Sequence, residues 1–175
     1  MKYWLMKTEP DEFSIADLER KQIEPWSGVR SMFARFHMRN MTAGDAVLFY
    51  HSSCQPPGVV GLARVSQVKI VDETQFDPAS KYFDESSTRD KPKWDCCEVE
   101  YVSTLPNQVV LERIRSEKAL AKMVLLRQGR LSVQPVSEAE YEHIVALADT
   151  SWTPPPKPKK PKAKAKKPKR KVKKK

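Results

Sequence analysis

His51 and Cys54 stand three residues apart in "FYHSSCQPPG". An imidazole beside a thiol is the pair from which a thiolate nucleophile is made, although such pairs normally come from distant chain segments and carry an accompanying signature absent here. With Cys96 and Cys97 the same two residues offer four metal-binding atoms. Adjacent cysteines on a strand point to opposite faces, which argues against a shared zinc. Asp11 with Glu12 and Glu98 with Glu100 are carboxylate pairs of the kind solvated surfaces carry everywhere. No phosphate-cradling P-loop, no GxGxxG and no HExxH occurs, so no cofactor or metal is implied. The three cysteines include no CxxC spacing and are expected as reduced thiols.

A different chemistry is suggested by "EPWSGVR", Glu24 to Arg30. Pro25 fixes the backbone before Trp26, and a helix start follows, whose free N–H groups favour anionic or carbonyl ligands. An indole held there is either the wall of a recognition site or simply packed under its loop. Tyr50, His51 and Ser52 close a strand, a place from which side chains often reach a site, while a lone histidine is as readily structural.

The elements that must carry these residues alternate. A strand is expected over residues 2–7, then a helix over 14–21 opened by a capping box of Ser14 and Asp17. Val29, Met32, Phe33 and Phe36 recur at i, i+3, i+4 and i+7, which predicts a second helix capped by Ser27. Strands follow at 45–52 and 59–71, joined by the turn "QPPG", with Gly61 at a bulge. Residues 72–95 read as a long ordered loop with a helical turn near "DPASKYF". A strand with Cys97, Val99 and Tyr101 on one face, a helix over 111–123 and a strand over 130–136 come next, before a last helix capped by Ser137 and Glu140. Four or five strands broken by short helices make an α+β fold around a small curved sheet or barrel.

The charge is divided. Lys and Arg number 32 against 22 Asp and Glu, a formal net charge of +10, yet thirteen of the basic residues lie between Lys157 and Lys175, where there is no acid. Residues 1–156 are therefore slightly acidic. The tail lacks aromatics and is broken by proline, a composition expected to stay disordered and to attract polyanions. Lys157, Lys159, Lys160, Lys162, Lys164, Lys166, Lys167, Lys169, Arg170 and Lys171 are the expected phosphate contacts, acting without regard to sequence. In composition this segment resembles the tails of linker histones; a merely solubilising tail is the plainer reading. The short apolar run at the N-terminus is neither a signal peptide nor a span, and a cytoplasmic protein is expected, nucleoid-associated or nuclear according to the cell. Neither an amphipathic helix nor a lipidation signal points to a membrane.

"YWLMKTEPDEFSIADL", "PWSGVR", "VLFYHSSCQPPGVVGLARV", "TQFDPASKYFD", "KPKW" and "LLRQGRLSVQPVSEAEYEHI" together resemble the EVE domain, in order, over residues 1 to about 148. The resemblance implies a PUA-like pseudo-β-barrel, related to YTH and ASCH domains, spanning 1–149, with the basic tail at 150–175. It implies binding rather than catalysis: a modified, flipped-out base of DNA or RNA held in an aromatic pocket. Trp26 would then be a stacking wall, lined by Thr8, Tyr50, His51 and Ser52, with Val29 and Ser31 beside the ring. Arg130, Ser132 and Gln134 would supply donors and acceptors. The family usually has Asn at positions 31 and 36, where this chain has Ser31 and Phe36, and losing an amide changes which base edge is read. Two other functions fit the composition: an enzyme acting on a modified nucleotide, and an architectural protein coating DNA through its tail.

Overall fold

A computed structural model describes residues 1–152; the basic run from Lys157 to Lys175, with its expected phosphate contacts and disorder, lies outside the described residues. The chain forms β1 (Tyr3–Thr8), α1 (Ile15–Lys21), β2 (Ile23–Pro25), α2 (Met32–Arg39), β3 (Ala46–His51) and β4 (Gly58–Val71), then β5 (Asp95–Val110). The short helices α3 (Leu111–Ser116) and α4 (Val124–Arg127) follow, with β6 (Val133–Val136) and α5 (Glu138–Ala148). Six strands make one mixed sheet in the order β2-β5-β4-β3-β1-β6. It curves without closing, since β2 and β6 end it and do not pair with each other, so the architecture is α+β with an open pseudo-barrel.

Both faces of the sheet are covered, which is why β3 reads as an unbroken apolar run rather than as an alternation. Trp4, Met6, Val47, Phe49, Val65, Cys97 and Val99 pack on one side with Ile15 and Leu18 of α1 and with Ala34 and Met38 of α2. Leu5, Leu48, Tyr50, Val59 and Val109 pack on the other with Ile114, Leu120, Leu125 and Ile144. β1 runs parallel to β3 and antiparallel to β6, so residues from both ends of the domain meet at its centre.

Several expectations hold in detail. Both capping boxes form, Ser14 with Asp17 and Ser137 with Glu140. Pairing of β4 with β5 shifts register between Val59 and Gly61, where an added Cβ would strike Ile15.

Others are corrected. α2 starts at Met32 and is capped by Ser31, not Ser27, and Val29 lies outside it. Ala34 and Met38 face inward, whereas Met32, Phe33 and Phe36 are exposed. The helical turn after β4 sits at Glu73–Gln75, ahead of "DPASKYF". The helix expected over 111–123 breaks after Ser116 into a short 3-10 turn, and β6 begins at Val133. β2, three residues long, was not foreseen.

Candidate nucleic-acid interface

A cleft of about 730 Å³ opens at the end of the sheet where β1 and β3 finish, in the size range of small-molecule sites. Its walls come from five segments: the end of β1 with the turn after it, the end of α1 running through β2 into the loop after it, Ser52 and Ser53 after β3, Lys81 and Tyr82 between β4 and β5, and the approach to β6.

The loop after β2 is fixed by one buried carboxylate. Asp72 is 2% exposed and accepts from Gly28 N (2.8 Å), Arg30 Nη1 (2.8 Å), Thr74 N (3.0 Å) and Thr74 Oγ1 (2.6 Å). Burial pushes its carboxyl up, but the hydrogen bonds from Thr74, Arg30 and Gly28 and the Arg30 charge outweigh this and hold it below the usual carboxylate range. Arg30 donates further to Tyr82 O and to Thr74 Oγ1, and its guanidinium lies between the rings of Tyr82 (5.5 Å) and Trp94 (5.2 Å). Gly28 has φ +80°, and a Cβ there would come within about 2.5 Å of the Tyr82 ring, so both backbone and space require glycine. The loop from Asp72 to Trp94 is thereby locked against the loop that carries Trp26.

Trp26 lines the cleft but is only 7% exposed. Its indole packs at right angles to the rings of Phe49 (5.5 Å) and Phe13 (6.5 Å), and the backbone N–H of Trp26 donates to Cys97 O (2.7 Å). At that burial the ring belongs to the core that backs the cavity and is not a free plate.

Of the ten residues expected at the pocket, Thr8, Trp26, Val29, Ser52, Arg130 and Ser132 line the cleft. The other four lie elsewhere. Tyr50 is buried in the opposite layer, because strand alternation that aims Phe49 and His51 one way aims Tyr50 the other. Gln134 alternates likewise: it is fully buried and donates to Leu131 O and Gln128 O, bracing the turn before β6. His51 accepts from Ile15 N (3.2 Å), and burial lowers its pKa, so the neutral ring serves as a cap for α1. Ser31 caps α2 through Ala34 N.

Sequence reasoning missed Lys7, Arg30, Lys81 and Tyr82 on the cleft wall. Lys81 pairs with Glu12 (2.7 Å) and Lys21 with Glu24 (2.8 Å). Lys7 has no such partner among the described residues: it donates to Gly129 O (2.7 Å) beside the Tyr50 ring, and burial pulls its pKa down to about 8. Arg130 likewise makes no ion pair among the described residues. The cleft thus pairs an apolar back wall with an excess of positive charge, Lys7 and Arg130 standing against the single carboxylate of Glu9 once the ion pairs among the described residues are set aside. "KTEP" placed Lys7 beside Thr8, but a lysine at a strand end is ordinarily solvated, and only its burial makes it distinctive.

The groups that suggested catalysis are separated by their surroundings. Cys54 Sγ approaches Pro56 O, not His51. Burial pushes the thiols of Cys96 and Cys97 up to about 12, the opposite of an activated thiolate. No group of three or more His, Cys, Asp or Glu side chains suited to a metal ion occurs among the described residues, and none of their helices is long and apolar enough to cross a membrane.

The EVE domain model matches residues 2–147. The chain belongs to the EVE domain family. Its EVE domain is 38% identical to thymocyte nuclear protein 1 of Mus musculus over 167 residues, covering 85% of this chain and 74% of that protein. A protein of Leishmania major shares its structure with a TM-score of 0.83 at 44% identity, covering 85% of this chain and 95% of that one. Human THYN1 protein, whose crystal structure is in complex with DNA containing 5-methylcytosine, superposes with a TM-score of 0.82 at 34% identity, covering 86% of this chain and 99% of that one. The fold of this chain is thus shared with the Leishmania major and human structures.

Proposed function

We propose that this EVE domain reads a modified base, methylated or hydroxymethylated, in DNA or RNA, and that the cleft at the ends of β1 and β3 receives it. The observation that supports this most directly is the cleft itself: a space roomy enough for an extruded nucleotide beside Trp26, with Thr8, Ser52 and Ser132 to bond a base edge and with Lys7 and Arg130 free of ion pairs among the described residues. Extruding a base costs a few kcal/mol, which contacts to a ring and to phosphate oxygens offset. The similarity to human THYN1 protein, solved with 5-methylcytosine-containing DNA, supports the same ligand class. In this reading residues 1–149 form the reading domain and His51 is a helix cap, with no catalytic role. The basic residues from Lys157 onward then raise affinity for any polyanion, and they supply most of the salt dependence.

The test is fluorescence anisotropy of the full chain with matched oligonucleotides carrying cytosine, 5-methylcytosine, 5-hydroxymethylcytosine or N6-methyladenine. The ratio between modified and plain probes cancels whatever the tail contributes. One modified probe should bind at least about tenfold tighter, near 1.4 kcal/mol, and Thr8→Ala with Arg130→Ala should erase the difference. Equal binding of all four would overturn the reading.

A pH dependence follows from Lys7. In the free protein its ammonium deprotonates near pH 8, because burial disfavours the charge. An anionic oxygen beside it favours the charged form and raises that pKa, so above pH 8 binding takes up a proton. Affinity should therefore be flat below about pH 7.5 and fall by up to about tenfold per pH unit above 8. Lys7→Met should bind more weakly and lose this slope; a wild-type profile flat to pH 9.5 would remove Lys7 from the site.

A further inference from the structure

Met32, Phe33 and Phe36 of α2 are 63%, 78% and 63% exposed. At 100° per residue they occupy one arc of about 100°, opposite the inward-facing Ala34 and Met38. Three large apolar side chains side by side on a short helix are not scattered surface residues; a contiguous patch of this kind marks an interaction surface.

Its place identifies the partner. α2 begins directly after Arg30 and its cap Ser31, and Phe33 is three Cα steps from Arg30, at most about 11 Å from that wall of the cleft. The bonds of Arg30 to Asp72 and Tyr82 hold the helix start rigidly beside the opening. The surroundings are basic. Arg35 and Arg39 share the single carboxylate of Asp95, which leaves one positive charge over, and the first turn of α2 has no acid against its N-terminal dipole. Two copies of this face would bring like charges together, whereas a polyanion would not. Apolar side chains of these types, when flanked by cations, enter the stack between base steps.

We propose that Met32, Phe33 and Phe36 form a wedge that enters the base stack of duplex nucleic acid next to the nucleotide held in the cleft. The inference rests on the reading of the cleft given above. Removing a base from a duplex leaves a gap in the stack, and a phenyl ring within one helical turn of the cleft fills it. The wedge acts only on a duplex, since a single strand has no gap to fill.

The experiment compares the full wild-type chain with Phe33→Ala/Phe36→Ala, whose exposed side chains leave the urea midpoint unchanged. Each binds a 5-methylcytosine oligonucleotide as a single strand and as a duplex with 2-aminopurine beside the modified base, whose emission rises when it unstacks. Wild type should brighten the probe. The double variant should lose that rise and bind the duplex at least about tenfold more weakly, with single-strand affinity kept within about twofold; Phe33→Leu/Phe36→Leu should retain part of both effects. Unchanged duplex affinity and emission in the alanine variant would overturn the wedge, as would conversion of a dimer to a monomer at unchanged duplex affinity, which would assign the ridge to a second copy. Failure of the cleft reading has its own signature. Wild type would then show no preference for 5-methylcytosine over cytosine even in single strands, and the wedge would fall with it.

Discussion

Trp26→Ala is expected to lower the free energy of unfolding by about 3–5 kcal/mol, the range for deleting a large aromatic side chain from a packed core. The indole is 7% exposed and stands edge-on between Phe13 and Phe49, each of which also borders helix α1 or strand β3. Removing it opens a void at the junction of α1, β3 and the loop after β2, and the loop cannot collapse into that void because Gly28 and Arg30 are tied to Asp72. Urea denaturation gives the answer through the midpoint, at a constant dependence on denaturant. A loss below about 1 kcal/mol would show that the ring belongs to the cavity and not to the core. Loss of binding in Trp26→Ala therefore conflates folding with recognition. Thr8→Ala and Arg130→Ala, at half-buried and exposed positions, are the variants that isolate binding.

Arg30→Met should be comparably costly at neutral pH. It removes the guanidinium from a carboxylate that is 2% exposed, and stranding one member of such a pair costs about 3–5 kcal/mol. The pH dependence separates this cause from lost packing. In wild type the Asp72 carboxyl titrates below its unfolded value, so its contribution is complete above about pH 4 and disappears as pH falls through the folded value. Without Arg30 the Asp72 carboxyl loses a hydrogen bond and the neighbouring positive charge, so its pKa rises from the wild-type value and protonation on acidification relieves the variant at a higher pH than wild type. The gap between the two proteins should then shrink from pH 7 to pH 4. A gap constant over that range would assign the loss to packing alone. Arg30→Lys should recover little, because a lysine lacks the planar fork that bonds Asp72, Thr74 and the Tyr82 carbonyl together near the Tyr82 and Trp94 rings.

Local rules carried most of the fold. The capping boxes at Ser14 and Ser137 placed α1 and α5, and the apolar run of β3 placed the centre of the sheet. α2 was misread because its apolar spacing belongs to the outward ridge, while the inward face needs only Ala34 and Met38 against a sheet close by. The cap fell to Ser31 because the positive φ of Gly28 turns the chain before the helix begins. The loop from Asp72 to Trp94 has no hydrophobic period to read. Its order comes from side chains bonding backbone: the buried Gln75 donates to Asp72 O and Trp94 O and accepts from the N–H groups of Lys93 and Trp94. At the site, Thr8, Trp26, Ser52, Arg130 and Ser132 were legible as cleft residues from the motifs that carry them. Tyr50 was not, though alternation already set it against its neighbour His51. Lys7 and Tyr82 were invisible because their burial arises only when segments far apart in sequence meet.

The central strand has a consequence for biosynthesis. β1 is made first, yet it pairs with β3 at residues 46–51 and with β6 at residues 133–136. While the ribosome adds the intervening stretch, Trp4, Leu5 and Met6 have one open edge that only the last strand can close. The sheet therefore stays open at β1 until translation has passed Val136, and it is completed only when nearly all of the domain has been synthesised.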